Sequence, residues 1–158
     1  MKENQFNTEV KNSLKKHGAW AYKIADQPTS WTASKTRFTP EKPCDIVAIH
    51  EGVGMLIEGK QFKKFEAFGL RHLRPSQVKN MDEAVDKNNR AFVFLNIRIK
   101  AIAGRQRRDN RLIIFDWKIW RERIKEASIK HKEVRELPYI KGSRGGYDLT
   151  EFIKDLHE

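Results

Sequence analysis

The chain has 158 residues, with 32 Lys+Arg against 21 Asp+Glu and a formal net charge of +11. That length suits one domain, residues 1–158, around a single core. No apolar run approaches the ~18–20 residues of a membrane helix, and MKENQFNTEV lacks the apolar stretch of a signal peptide. Cys44 has no second cysteine to pair with, which fits a reducing compartment.

The charge is unevenly spread. Residues 98–144 hold 15 basic and 6 acidic side chains, net +9, while 44–97 hold 8 and 7, net +1. Clustered Arg and Lys are the electrostatic footprint of a polyanion binder, or else a solvated cationic face. A near-neutral centre inside a basic frame gathers carboxylates where a metal ion would be useful.

In chain order, Phe6, Val10 and Leu14 recur at helical spacing, so 3–17 is predicted as a helix stopped by Gly18. Glu9 lies about 60° from Phe6, on the flank of the apolar stripe. Residues 19–24 (AWAYKI) read as a strand. Residues 26–43 are rich in Thr, Ser, Pro and Lys and read as an exposed loop or short projecting hairpin. Residues 44–50 and 55–62 are predicted as an antiparallel hairpin whose turn centres on Gly52–Val53. Pro75 opens a helix over 76–87, strands follow at 90–99 and 111–117, and 103–110 (AGRQRRDN) is a turn. A charged helix over 120–132 and a short one over 147–156 close an α-β-β-β-α-β-β-α order.

Strand side chains alternate, so Glu58 and Lys60 point to one face, and the hairpin register brings Asp45 opposite them. Two carboxylates beside mostly apolar neighbours are costly to bury without a compensating cation. Lys60 pairing with one acid leaves the second unexplained, whereas a hard divalent ion held through oxygen accounts for all three. Mg²⁺ prefers a few carboxylates plus water and substrate phosphate, and Mn²⁺ is expected to substitute. Such an ion activates water and polarises a phosphoryl oxygen.

Pro43-Cys-Asp45 followed by Glu58-Gly-Lys60 resembles the PD-(D/E)XK nuclease signature. The motif alone is weak, but its context is fuller. A helix with an acid precedes it, a hairpin bears it, and a helix carrying Gln77 and an aromatic strand follow. In this order the segment from about residue 4 to 117 resembles Holliday-junction resolvases of the RecU, phage and archaeal types. The resemblance implies an α/β restriction-endonuclease-like fold, a mixed central sheet flanked by helices. It implies Asp45 and Glu58 as metal ligands with the Gly59 carbonyl, and Lys60 as the catalytic lysine. Glu9 matches the acid of the first helix near the metal, and Gln77 matches a downstream glutamine. Gly59 departs from the family, where alanine is frequent, and 26–43 is shorter than the stalk of RecU proteins. The implied activity is Mg²⁺-dependent hydrolysis of DNA phosphodiesters at four-way junctions by paired nicks. That requires a homodimer, in the cytoplasm of a bacterial cell or phage-infected host. Another duplex- or end-specific nuclease of the superfamily, or a non-catalytic DNA-binding protein, remains open.

Arg105, Arg107, Arg108 and Arg111 gather guanidinium groups at one hairpin, as phosphate clamps or as a solvated turn. Lys35 and Arg37 flank Trp31 and Phe38, which either enter a junction or dock the loop on the body. Arg121, Arg123, Lys125 and Lys130 form a stripe that is solvated or faces phosphate. Cys44 reads as a small buried hydrophobe rather than a nucleophile. The histidines show no HxxxH spacing, so no structural zinc is expected. Trp20, Phe62, Phe65, Phe68 and Leu70 are candidates for a dimer surface or for internal packing.

Overall fold

The computed structural model describes residues 3–26, 42–101 and 108–158. Helix α1 (Glu3–Lys16) is followed by strands β1 (Trp20–Lys23), β2 (Ile46–His50) and β3 (Val53–Phe62). After a 3-10 turn come α2 (Pro75–Asp86), β4 (Arg90–Ile99), β5 (Asp109–Asp116), α3 (Trp117–Glu126), α4 (His131–Glu136), β6 (Ile140–Lys141) and α5 (Thr150–Leu156). The strands form one six-stranded sheet in the order β1-β2-β3-β4-β5-β6. All neighbours are antiparallel except β3 and β4, which run parallel with α2 as the crossover. The protein is thus an α/β fold with a mixed sheet flanked by helices. Among the described residues no helix is long and apolar enough to cross a membrane.

Period-2 alternation builds the two layers. Met55, Ile57, Phe92, Phe94 and Leu112 face α1 and α5, where Phe6, Val10, Leu14 and Phe152 cover them. Leu56, Phe62, Val93, Leu95 and Phe115 face the other way, against Met81 of α2, Trp117 and Ile124 of α3, and Val134 of α4. Central strand β4, buried on both faces over most of its length, therefore reads as a nearly continuous apolar run, whereas β3 does so only over Val53–Ile57, before Glu58 and Lys60.

Three local expectations are corrected. The β2–β3 turn centres on Glu51–Gly52, both at positive φ (45° and 82°), because a two-residue hairpin loop that matches strand twist needs that geometry. The expected single helix over 120–132 is two helices. The backbone leaves α3 at Ala127, and Ile129 exchanges hydrogen bonds with Phe68 (2.7 and 3.0 Å) while its side chain is fully buried. Trp117, expected at the end of a strand, opens α3 behind the N-cap Asp116, whose carboxylate accepts from the Lys118 N–H. Strand β6 had no counterpart in the pattern. The expected loop or hairpin at 26–43 falls almost wholly outside the described residues, as does most of the 103–110 turn.

Candidate active site

The site arises from unequal strand lengths. β2 pairs with β3 only from His50–Val53 to Ile46–Ile57, while β3 continues through Phe62. Beyond Ile57, β3 keeps its partner β4 on one side and has no β2 residue on the other. Asp45, the residue before β2, fills this break. Its N–H donates to the Ile57 carbonyl, and its Oδ2 accepts from the Gly59 N–H at 2.9 Å. The carboxylate thus caps the bare edge of β3 where a further strand residue would have been.

Because the sheet is interrupted here, side chains from both layers meet. A cleft of about 240 Å³ is lined by Glu3, Asn4 and Asn7 from α1, Lys23, Ile24 and Asp26 after β1, and Lys42 and Asp45 before β2. Glu58 and Lys60 of β3 and Arg74 and Gln77 at the start of α2 complete it. Asp45 is 3% exposed and Glu58 2%. Lys60 Nζ stands 3.3 Å from Glu58 Oε1, and Lys42 Nζ stands 2.7 Å from Asp45 Oδ1 while also pairing with Asp26.

Glu58 titrates far above an ordinary carboxyl, pushed up to about 8, first by burial and then by the negative charge of Asp45; Lys60 opposes this only in part. Burial works against the Lys42 ammonium, but its bonds to Asp26 and Asp45 outweigh that and raise its pKa to about 12. Glu3 is also raised, by burial and then, against the pull of Lys60, by Asp45. Each acid thus has a lysine partner, Lys42 for Asp45 and Lys60 for Glu58, so the second carboxylate that the sequence left unexplained is answered within the chain. The donor set is carboxylate oxygen with a buried amide oxygen, Asn7 Oδ1, that has no hydrogen-bond partner. That set fits a hard divalent ion such as Mg²⁺.

Gln77 has its orientation set by the helix it opens. As the third residue of α2, its Oε1 accepts from the Arg74 N–H (2.8 Å), leaving Nε2 to donate to Glu58 Oε1 at 2.5 Å. The amide is thereby held in one sense, and it aims Glu58. Gly59 is explained by Asn7. An added Cβ at Gly59 would lie 1.9 Å from Asn7 Oδ1 and 2.9 Å from its Cγ, so the amide occupies the space an alanine methyl would take.

The structure brings Asp45, Glu58, Gly59, Lys60 and Gln77 together. It does not bring Glu9 with them. Glu9 Oε2 accepts from an Arg98 guanidinium N–H at 2.8 Å, and the same nitrogen donates to the Tyr147 hydroxyl. The helix explains the exchange. Glu3 and Glu9 each lie three residues from Phe6, one on either flank of the buried stripe, so only one of them can face the cleft. That one is Glu3, with Asn7 one turn on. Lys42, Asn7, Glu3 and Asp26 were missed. For Glu3 and Asn7 an i, i+4 spacing on one flank was the available signal.

Arg111, expected to clamp phosphate, is engaged within the chain. It bonds Asp109 Oδ2 at 2.9 Å and the Arg135 carbonyl, and its guanidinium lies 5.0 Å from the Phe65 ring and 4.2 Å from Tyr139. Arg108 is exposed, whereas Lys35, Arg37, Arg105 and Arg107 lie outside the described residues. On the late helix, Arg121 pairs with Asp82 and Asp86, Arg123 with Glu133 and Lys125 with Asp82. Of the dimer candidates, Phe62 and Phe68 are core residues and Phe65 lies under Arg111 and Arg135, while Trp20 and Leu70 are exposed.

Fold and site together define an α/β domain with an acid–lysine cleft at a break in its sheet. No protein-family model matches the chain, and no curated protein does. Among solved structures the chain is similar to Hjc, a Holliday junction resolvase of the archaeal hyperthermophile Archaeoglobus fulgidus. The TM-score is 0.40 at 19% identity, over 82% of this chain and 97% of that one.

Proposed function

We propose that the protein is a divalent-metal-dependent DNA endonuclease that resolves four-way junctions by paired nicks. One observation carries the nuclease reading. The buried Asp45–Glu58 pair, with Lys60 at 3.3 Å, opens into a cleft rimmed by Lys23, Lys42 and Arg74. Asp45 and Glu58 would hold Mg²⁺ or Mn²⁺, with Gly59 and Asn7 adjacent. A divalent ion there supplies Lewis-acid polarisation of the scissile phosphate and a more acidic water. The chain supplies the rest. Gln77 and the Gly59 N–H fix the two carboxylates, and Lys60 positions the attacking water and offsets charge gathering on phosphorus. Water adds to phosphorus and the O3′ leaves with a proton, giving 5′-phosphate and 3′-hydroxyl ends.

The junction as substrate rests on the motif order from α1 to β4. The described residues of each chain form one such site, so two symmetric nicks require a two-fold homodimer. The exposed Trp20, Tyr22 and Ile49 on the β1–β2 face supply apolar area for that contact. The deciding test incubates a four-way junction and a sequence-matched linear duplex with Mg²⁺. Preferential junction nicking is expected, and equal cutting of both would sink the junction assignment. Asp45→Ala should abolish cleavage while retaining junction binding. A wild type that nicks no DNA with either Mg²⁺ or Mn²⁺ is not a nuclease.

A further inference from the structure

A second cluster sits at the opposite end of the β2–β3 hairpin. His50 ends β2, Glu51 is the first residue of the turn, and His157 follows α5. His50 Nδ1 and His157 Nε2 are 2.7 Å apart, and a Glu51 carboxylate oxygen lies 3.9 Å from His157 Nε2. Ligand atoms from all three residues lie within 4.8 Å of one another. Along β2 this cluster stands about 16 Å from Asp45, from five residues of extended strand. It is separate from the acid–lysine cleft.

The chemistry of the contact is unusual. Two imidazole nitrogens at 2.7 Å require one N–H and one lone pair, so the rings must take complementary tautomers. Protonating both would set two N–H groups against each other. A metal ion answers the same geometry by replacing the shared proton and accepting both lone pairs. Neutral imidazole with one carboxylate is a borderline-soft donor set, suited to Zn²⁺, Ni²⁺ or Cu²⁺ rather than Mg²⁺.

We propose that His50, His157 and Glu51 form a transition-metal site, typified by Zn²⁺, that clips the C-terminal end of α5 to the β2–β3 turn. Two nitrogens on a tetrahedral ion with ~2.0–2.1 Å bonds lie about 3.3 Å apart, so the rings must part by about 0.6 Å. His157 is placed to give way, being partly exposed and one residue past α5, while His50 stays anchored in the sheet. Glu51, 77% exposed, turns in as third ligand, and water completes the shell. Residues far apart in the chain are thereby cross-linked, and the bound ion stabilises the folded state by mass action. No HxxxH spacing announces the site, since its histidines come from different elements.

The test uses the full chain carrying Asp45→Asn and Glu58→Gln, which disables the catalytic cleft as a metal trap. Calorimetric titration with Zn²⁺ alone, visible spectra of the Co²⁺ form and thermal unfolding are the readouts. One equivalent of Zn²⁺ is expected to bind and raise Tm, with intense d–d bands of a four-coordinate Co²⁺ form. Adding His157→Ala should weaken binding by roughly tenfold or more. Glu51→Gln, at an exposed side chain that folding does not need, should weaken it too and blue-shift the Co²⁺ bands. Zn²⁺ binding lost with the cleft substitutions, or unchanged by both His157→Ala and Glu51→Gln, would overturn the proposal.

Discussion

Replacing Gly59 by alanine adds one carbon where the Asn7 amide already sits. The new Cβ would lie 1.9 Å from Asn7 Oδ1 and 2.9 Å from Cγ, so rotating the terminal amide is not enough and the whole side chain must withdraw. Asn7 is only 5% exposed and lies against β3 from α1, so withdrawing it disturbs packing that is otherwise closed. Overpacking of this kind costs about 1–3 kcal/mol. Gly59 is not at positive φ, so backbone strain adds nothing. Asn7→Ala should by itself be nearly neutral, because the oxygen it removes is buried without a hydrogen-bond partner. In the double variant the alanine methyl fills the vacated space. A double-mutant cycle by urea unfolding should therefore give a favourable coupling of about 1–2 kcal/mol. A Gly59→Ala protein as stable as wild type, or additive losses in the double variant, would refute the close-packing argument. It would also remove the reason offered for glycine at position 59.

Glu58 makes the metal-free protein sensitive to pH. Its folded pKa, near 8, exceeds the ordinary 4.5, so the folded state holds the proton more tightly. Its contribution is fully present below pH ~4.5 and is lost as pH rises toward 8. The loss is on the order of a few kcal/mol, at about 1.4 kcal/mol per unit. Chemical unfolding in EDTA across this window should show Glu58→Gln flattening the profile and stabilising the fold at pH 8, and parallel profiles would contradict the assignment. Glu3→Gln should lower the cleavage rate while leaving stability within about 0.5 kcal/mol. Glu9→Gln should do the reverse, losing about 1–3 kcal/mol with its bond to Arg98 and retaining cleavage; steady-state rates and melting curves separate the two. Arg111→Ala should lose about 1–3 kcal/mol through its ring and carboxylate contacts without changing the salt slope of DNA binding. Arg108→Ala should make that slope shallower by about one unit, measured by binding isotherms at several salt concentrations.

Local information reached as far as single elements and one hairpin. The helical spacing of Phe6, Val10 and Leu14, the apolar runs of β3 and β4, and Pro75 at the start of α2 were legible because backbone geometry repeats over a few residues. Asp45, Glu58 and Lys60 were legible for the same reason, since hairpin register ties side chains thirteen positions apart to one another. Gln77 came from the motif order, yet what aims it, the N–H it caps, belongs to α2. Tertiary structure decided the rest. Whether Glu3 or Glu9 faces the cleft depends on which flank of α1 meets the break in the sheet, and both flanks look alike in sequence. Arg111 reads as a surface cation until Phe65, Arg135 and Tyr139, remote in the chain, close around it. Lys42 and Asn7 enter the site only because β2 stops short of β3, and His50 meets His157 only because α5 packs back on the sheet. Sequence periodicity specifies how each element buries its own face. Which faces meet is settled by packing between elements, and the site is built at one such meeting.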